Sequence, residues 1–244
     1  MKRWLASFGI IALTLLAAGC KSHAPSASLP KPTSFGLALV ESSGGKQVTM
    51  AGSALPQPLV VQVNDAQGNA VPGALVELRG PAGVQFDPAA GLTDSSGQLT
   101  SNVSLGGMAG RYMIVASIVT KAQAHIDLGI EEIALGYQEG LGRELNQQYC
   151  DRCHNPESTP ERVSNYDNLE VKPHPFTEGD TLNKMSDADL LAIISHGGSG
   201  LNKSPLMPAY GYTLSKAEMQ ALMSYIRAIS DPPYPSPGLV YVKN

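Results

Sequence analysis

Cys150-Asp151-Arg152-Cys153-His154 is the stretch that decides how the second half of this chain folds. Two cysteines two residues apart, followed at once by histidine, form the attachment signature of a c-type haem. The spacing has a chemical reason. Each thiol adds across one porphyrin vinyl group, and a two-residue gap lets both sulfurs reach from a single helical turn. The next residue then lies under the iron, where an imidazole nitrogen serves as proximal ligand. A disulfide pair and half of a zinc site are the plain alternatives. The chain has three cysteines, so a four-cysteine zinc site cannot form, and suitably spaced histidines for a mixed site do not follow. A thioredoxin-like motif would want a βαβ context that the sequence lacks. The expected cofactor is one covalently bound haem c, held by Cys150 and Cys153, with His154 on the metal.

The third cysteine, Cys20, belongs to the leader. Lys2 and Arg3 supply a positive start, and Leu5 to Ala18 is an apolar run too short to span a bilayer comfortably. It ends in Leu16-Ala17-Ala18-Gly19-Cys20, which resembles a bacterial lipoprotein signal over residues 1–19, with Cys20 as the lipidated mature N-terminus. Leucine stands four places before the cysteine, and Ala17 occupies the place three before it where leucine is commonest. An ordinary secretory leader with an incidental cysteine is the alternative. A lone thiol is a liability in an oxidising compartment, which favours lipidation. The resemblance implies export in a bacterium and anchoring to a membrane, in the periplasm or at the cell surface. Lys21 follows the cysteine in place of aspartate, which points to the outer membrane. Residues 20–35 are rich in Ser, Ala and Pro and read as a flexible tether. The net charge of −4, with no basic run, sets nucleic-acid binding aside.

The rest reads as two modest domains. Residues 36–133 are β-like. Leu59-Val60-Val61-Gln62-Val63 and Ala74-Leu75-Val76-Glu77-Leu78 are short β-branched runs; Gln98 to Leu105 alternates in part, and Tyr112 to Val119 and His125 to Ile130 are largely apolar. Asp65-Ala66-Gln67-Gly68-Asn69, Thr93-Asp94-Ser95-Ser96-Gly97 and Gly106-Gly107-Met108-Ala109-Gly110 punctuate them as turns, a pattern that predicts a sandwich. Asp65, Asp87, Asp94 and Asp127 could supply oxygens to calcium, but Asp65 and Asp94 read as turn-formers bonding local backbone. No catalytic constellation appears in this half. Its turns, from Val63-Asn64-Asp65 through Val71-Pro72-Gly73, then Leu92 to Gln98 and Ala109-Gly110-Arg111-Tyr112, resemble those of bacterial Ig-like domains of the invasin-related type. Such domains act as spacers or binding modules. Only Phe35, Phe86 and Tyr112 are aromatic here, which favours a spacer.

Residues 134–231 read as helical, and 232–244 as a tail. Glu139 to Tyr149 precedes the cysteine pair. Ser186 caps a helix with an apolar stripe of Leu190, Leu191, Ile193 and Ile194. Ser215 and Glu218 form a capping box before Met219, Leu222, Met223, Ile226 and Ile229, and Asp231-Pro232-Pro233 ends that helix. Together with Lys172-Pro173-His174-Pro175-Phe176 and Met207-Pro208-Ala209-Tyr210-Gly211, in this order, these features resemble a class I cytochrome c domain. The fold expected for the whole chain is therefore an N-terminal all-β Ig-like sandwich followed by an all-α cytochrome c domain. The resemblance implies that Gly142 and Leu145 face Leu222 and Tyr225. It also implies that a carbonyl of Pro173 or Pro175 accepts a hydrogen bond from His154.

Met207 lies 53 residues after His154 (207 − 154) in a loop rich in Gly, Ser and Pro. A thioether there suits the sixth iron position and favours the ferrous state. Met185, His174 and His196 compete for that role; Met219 and Met223 sit at core spacing. The resulting reading is an electron carrier, not an enzyme, with redox proteins as partners and no small-molecule substrate. The alternatives are an electron-accepting haem subunit of a periplasmic oxidoreductase, and an Ig-like binding or adhesion module carrying an accessory haem.

Overall fold

Alternating apolar residues build the first half. In β3 (Leu59–Asp65) Leu59, Val61 and Val63 are buried; in β4 (Leu75–Arg79) Val76 and Leu78; in β7 (Gln98–Ser104) Leu99, Ser101 and Val103. The period of two sends these side chains to one face of each strand. The computed structural model describes residues 37–119, 125–155, 165–235 and 238–243. The expected signal segment, Cys20 and the tether lie outside the described residues. With β1 (Leu37–Ser43), β2 (Val48–Met50), β5 (Gln85–Asp87), β6 (Ala90–Leu92), β8 (Gly110–Val119) and β9 (His125–Leu135), the strands form two sheets, β1-β3-β7-β5 and β2-β9-β8-β4-β6. All pairings are antiparallel except β2 with β9. The core between them includes Val61, Val63, Val76, Tyr112 and Ile114, and the Tyr112 hydroxyl donates to the Met108 carbonyl at 2.8 Å.

Asp65 accepts the backbone N–H groups of Gln67 at 2.9 Å and Asn69 at 2.8 Å, and Asp94 those of Ser96 at 2.8 Å and Gln98 at 3.0 Å. Both are turn-formers, each using its Oδ1 on local backbone. Four strands were not anticipated. Three of them, β2, β5 and β6, have three residues each, too few to carry a period-two signal.

The second half contains α1 (Tyr137–Tyr149), α2 (Asp151–His154), α3 (Gly179–Leu182), α4 (Asp187–His196) and α5 (Lys216–Ile229). Ser186 caps α4, and Ser215 with Glu218 forms a complete capping box on α5. Helices α1 and α5 cross at Gly142, where a Cβ would stand 2.1 Å from the Ala221 carbonyl oxygen and 2.7 Å from Tyr225 Cβ. Only glycine permits that approach.

β9 continues to Leu135, two residues past the boundary expected at 133, and Gly136 alone separates it from α1. The sandwich and helical halves belong to one compact unit. Ile133 and Leu135, on the outer face of β9, join Tyr225, Ala228 and Ile229 of α5 in one buried cluster. Arg111 of β8 reaches across and donates to the carbonyls of Ala228 at 2.8 Å and Ser230 at 2.7 Å, at the C-terminal end of α5. A guanidinium there satisfies orphan carbonyls and opposes the negative pole of the helix. The tail also returns to the sandwich: Arg111 N–H donates to Val240 O and Val242 N–H to Arg111 O, both at 2.9 Å.

Candidate haem site

Cys150 ends α1, and α2 follows as a single turn. The N–H groups of Cys153 and His154 both donate to the Cys150 carbonyl at 3.0 Å. One turn therefore carries both thiols and the histidine. Both cysteines are free thiols; Cys150 is buried and Cys153 half-buried. Burial, followed by the nearby Asp151 and Cys153, pushes the Cys150 thiol up to about 12, so it stands as the neutral thiol.

His154 Nδ1 lies 2.8 Å from the backbone carbonyl oxygen of His174. This corrects the expected partner, Pro173 or Pro175: the acceptor is the residue between the two prolines. A residue before proline is driven to an extended conformation, so Pro175 keeps the His174 carbonyl out of a helical bond and available to a side chain. Sequence could not choose the register across the irregular segment before it. Because Nδ1 donates, the lone pair stands on Nε2. Burial holds the His154 pKa below its usual value, with the His174 carbonyl opposing, which keeps the imidazole in its metal-binding neutral form. Phe176 stacks against it, ring centroids 4.6 Å apart.

The side chain of His174 is exposed and its Nδ1 lies 2.9 Å from Glu178 Oε2. His196 is exposed at the end of α4. Met219 is buried in the helical core, and Met185 and Met223 pack against it. Met207 is half-buried in the loop between α4 and α5. Three bonds tie that loop to the end of α4: Gly198 N–H to Met207 O, Tyr210 N–H to Ile194 O and Gly211 N–H to Ser195 O, each 3.0 Å. Gly197, at φ +67°, makes this seating possible, since a Cβ would come within 2.7 Å of Met207 O. Tyr210 then donates its hydroxyl to Tyr149 O at 2.9 Å, beside Cys150. The methionine loop and the cysteine turn are thus pinned together.

Tyr210 in this role, and Arg227, were not found by sequence reasoning. Arg227 is buried on α5 and donates to the carbonyls of Leu182 and Met185 at 2.7 Å each and to Asp187 at 2.9 and 3.1 Å. A lone arginine in a last helical turn gives no sequence signal of that kind.

The donor set fits haem c. Two reduced thiols share one turn with a neutral imidazole, and a methionine loop is bonded to the same place. Leu145, Leu190, Ile194, Leu214, Leu222 and Ile226 form an apolar cluster with Cys150. Fold and site together give a helical half, continuous with a β-sandwich, whose cysteine turn could hold a haem. Residues 139–226 match the family described as cytochrome C oxidase, cbb3-type, subunit III, and the site from Cys150 to Met207 falls inside that stretch. This part of the chain is similar to cytochrome c domains, whose chemistry is electron transfer.

Among solved structures the chain is similar to the Yersinia pseudotuberculosis adhesin InvE, at 18% identity over 43% of this chain and 33% of that one, TM-score 0.30. It is similar to a C-terminal fragment of intimin at 13% identity, covering 39% of this chain and 32% of that one, TM-score 0.30. The E. coli chaperone DraB is similar at 15% identity over 44% and 60%, TM-score 0.30. The chain spans about a third of the length of the InvE and intimin structures. No curated protein sequence matches it.

Proposed function

We propose that the chain is a lipid-anchored, mono-haem c-type cytochrome that passes single electrons between redox proteins in the bacterial periplasm or at the cell surface. The observation that carries this reading is the turn of Cys150, Cys153 and His154 with the imidazole held by the His174 carbonyl. Haem bound there supplies a one-electron ferrous–ferric couple. Cys150 and Cys153 would hold the porphyrin through thioether bonds. His154 offers Nε2 to the iron, while the bond from Nδ1 to His174 orients the ring and strengthens its donation. Met207 would offer the iron a neutral, soft sulfur, which would raise the potential. With His154 and Met207 both holding the iron, the group would have no place for a substrate, and the chain would act as a carrier. Cys20 provides the lipid anchor.

The test is direct. The purified mature protein, denatured and extracted with acidic organic solvent, should keep its haem, and the double variant C150A/C153A should not. Haem lost from the wild type would sink the c-type reading. For the anchor, membrane partition should be lost in Cys20→Ala.

A second reading, favoured by the match to an oxidase subunit family, makes the chain the haem subunit of a respiratory oxidoreductase. Stable co-purification with integral membrane subunits in mild detergent would support it; a free carrier forms only brief encounters.

A further inference from the structure

A cavity of about 380 Å³ lies at the junction of the two halves. Its wall includes His154, Phe176 and Tyr225 from the helical half, and Lys46, Arg111 and Glu131 from the sandwich. The charges there are arranged as pairs. Arg111 Nη1 lies 2.5 Å from Glu131 Oε1, with the two side chains 1% and 20% exposed. Lys46 Nζ lies 2.5 Å from Asp231 Oδ2, with 75% and 52% exposed. Tyr241 adds a hydroxyl bond to Glu131.

The buried pair is the informative one. A guanidinium taken out of water is costly unless its donors are used. Arg111 uses Nη1 on Glu131 and Nη2 on the carbonyls of Ala228 and Ser230, while its buried Nε has no partner. A hydrophobic side chain would close the junction at lower desolvation cost but would leave the Ala228 and Ser230 carbonyls unbonded, so the guanidinium serves the helix end as well as the cavity wall. Charges withdrawn from solvent act over longer distances than exposed ones, which water and salt screen. This pair shares a cavity wall with His154, the histidine that would hold the iron.

We propose that the sandwich is a working part of the haem site: it closes the wall on the His154 side, and its Arg111–Glu131 pair tunes the reduction potential of the haem held there. The proposal rests on the haem reading above. Ferric haem carries one more positive charge than ferrous haem. Removing the Glu131 carboxylate leaves Arg111 unopposed, disfavours the ferric state and raises the potential. Removing the Arg111 charge leaves Glu131 unopposed and lowers it. A purely structural role behaves differently, because loosening the junction admits water, favours the ferric state and lowers the potential in both variants.

The experiment is a spectroelectrochemical titration of the full-length holoprotein and its variants Arg111→Met, Glu131→Gln, the double variant, and Lys46→Met. The expected results are a lower potential, a higher potential, a value near the wild type, and a smaller downward shift that fades in high salt. Shifts of the same sign in Arg111→Met and Glu131→Gln, or no shift in either, overturn the proposal. Should Arg111→Met fail to accumulate, Glu131→Gln decides alone: a rise supports tuning, and a fall or no change refutes it. The visible spectrum of each sample reports axial ligation separately. A wild-type spectrum without methionine ligation would remove the Met207 reading while leaving the sign test intact.

Discussion

The imidazole of His154 donates through Nδ1 to the main-chain oxygen of His174, 2.8 Å away, and the side chain of His174 turns instead to Glu178. His174 therefore contributes its backbone to the haem site. The variant His174→Ala should keep the wild-type visible spectrum and potential. Loss of a bis-histidine spectrum on that substitution would show that the imidazole of His174 had been an axial ligand.

Met207→Ala tests the other axial position. Oxidised wild type should show the weak charge-transfer band of sulfur ligation at the red end of the visible spectrum. The variant should lose it, titrate at lower potential and bind carbon monoxide. The fold should survive, because the loop's bonds to α4 come from main-chain groups. An unchanged band in the variant would exclude Met207.

Gly142→Ala should separate α1 from α5. Alanine normally favours a helix over glycine by about 1 kcal/mol, but here its Cβ meets main-chain oxygen of Ala221 at 2.1 Å, and backbone cannot rotate away. Overpacking of this kind costs roughly 1–3 kcal/mol. Thermal unfolding of the holoprotein should move down by several degrees; an unchanged or higher midpoint would show that the crossing is looser than this.

Glu132 links stability to pH. It is fully buried on β9 and accepts the Gln47 N–H at 2.7 Å. Burial raises its pKa from 4.5 to about 8, with the charges of Glu41 and Glu131 adding to the effect and the Gln47 bond opposing it. Between those two values the native state holds a proton that the unfolded chain releases, so the Glu132 contribution falls as pH rises through that window and is flat above it. The slope approaches about 1.4 kcal/mol per pH unit at its steepest. Glu132→Gln should abolish this component, and its advantage over wild type should grow from pH 5 to pH 8 in urea titrations. Parallel stability curves would show that Glu132 ionises normally.

Particular residues show how far sequence carries. The cysteine turn, the Ser186 and Ser215 caps and the strands β3, β4, β7, β8 and β9 were legible because each depends on neighbours a few residues away. Asp65 and Asp94 were legible as turn-formers for the same reason. The acceptor for His154 was not, since the choice among residues 173, 174 and 175 depends on how a loop twenty residues on comes to rest against the haem turn.

The amino-acid sequence by itself determined the single turn that carries both cysteines and His154, the division into strands and helices, and the methionine loop as a candidate for the sixth position. These follow from short-range spacing and from the bonding capacity of thiol, imidazole and thioether groups. Only the tertiary structure decided that the halves are not beads on a string. Arg111 lies in a stretch that reads as part of an Ig-like strand, yet its guanidinium is bonded to carbonyls 117 and 119 residues away. Ile133 and Leu135 look like the end of an ordinary strand, yet they face α5. Contacts at such separations depend on where packing brings two surfaces together, and local periodicity carries no record of a distant partner.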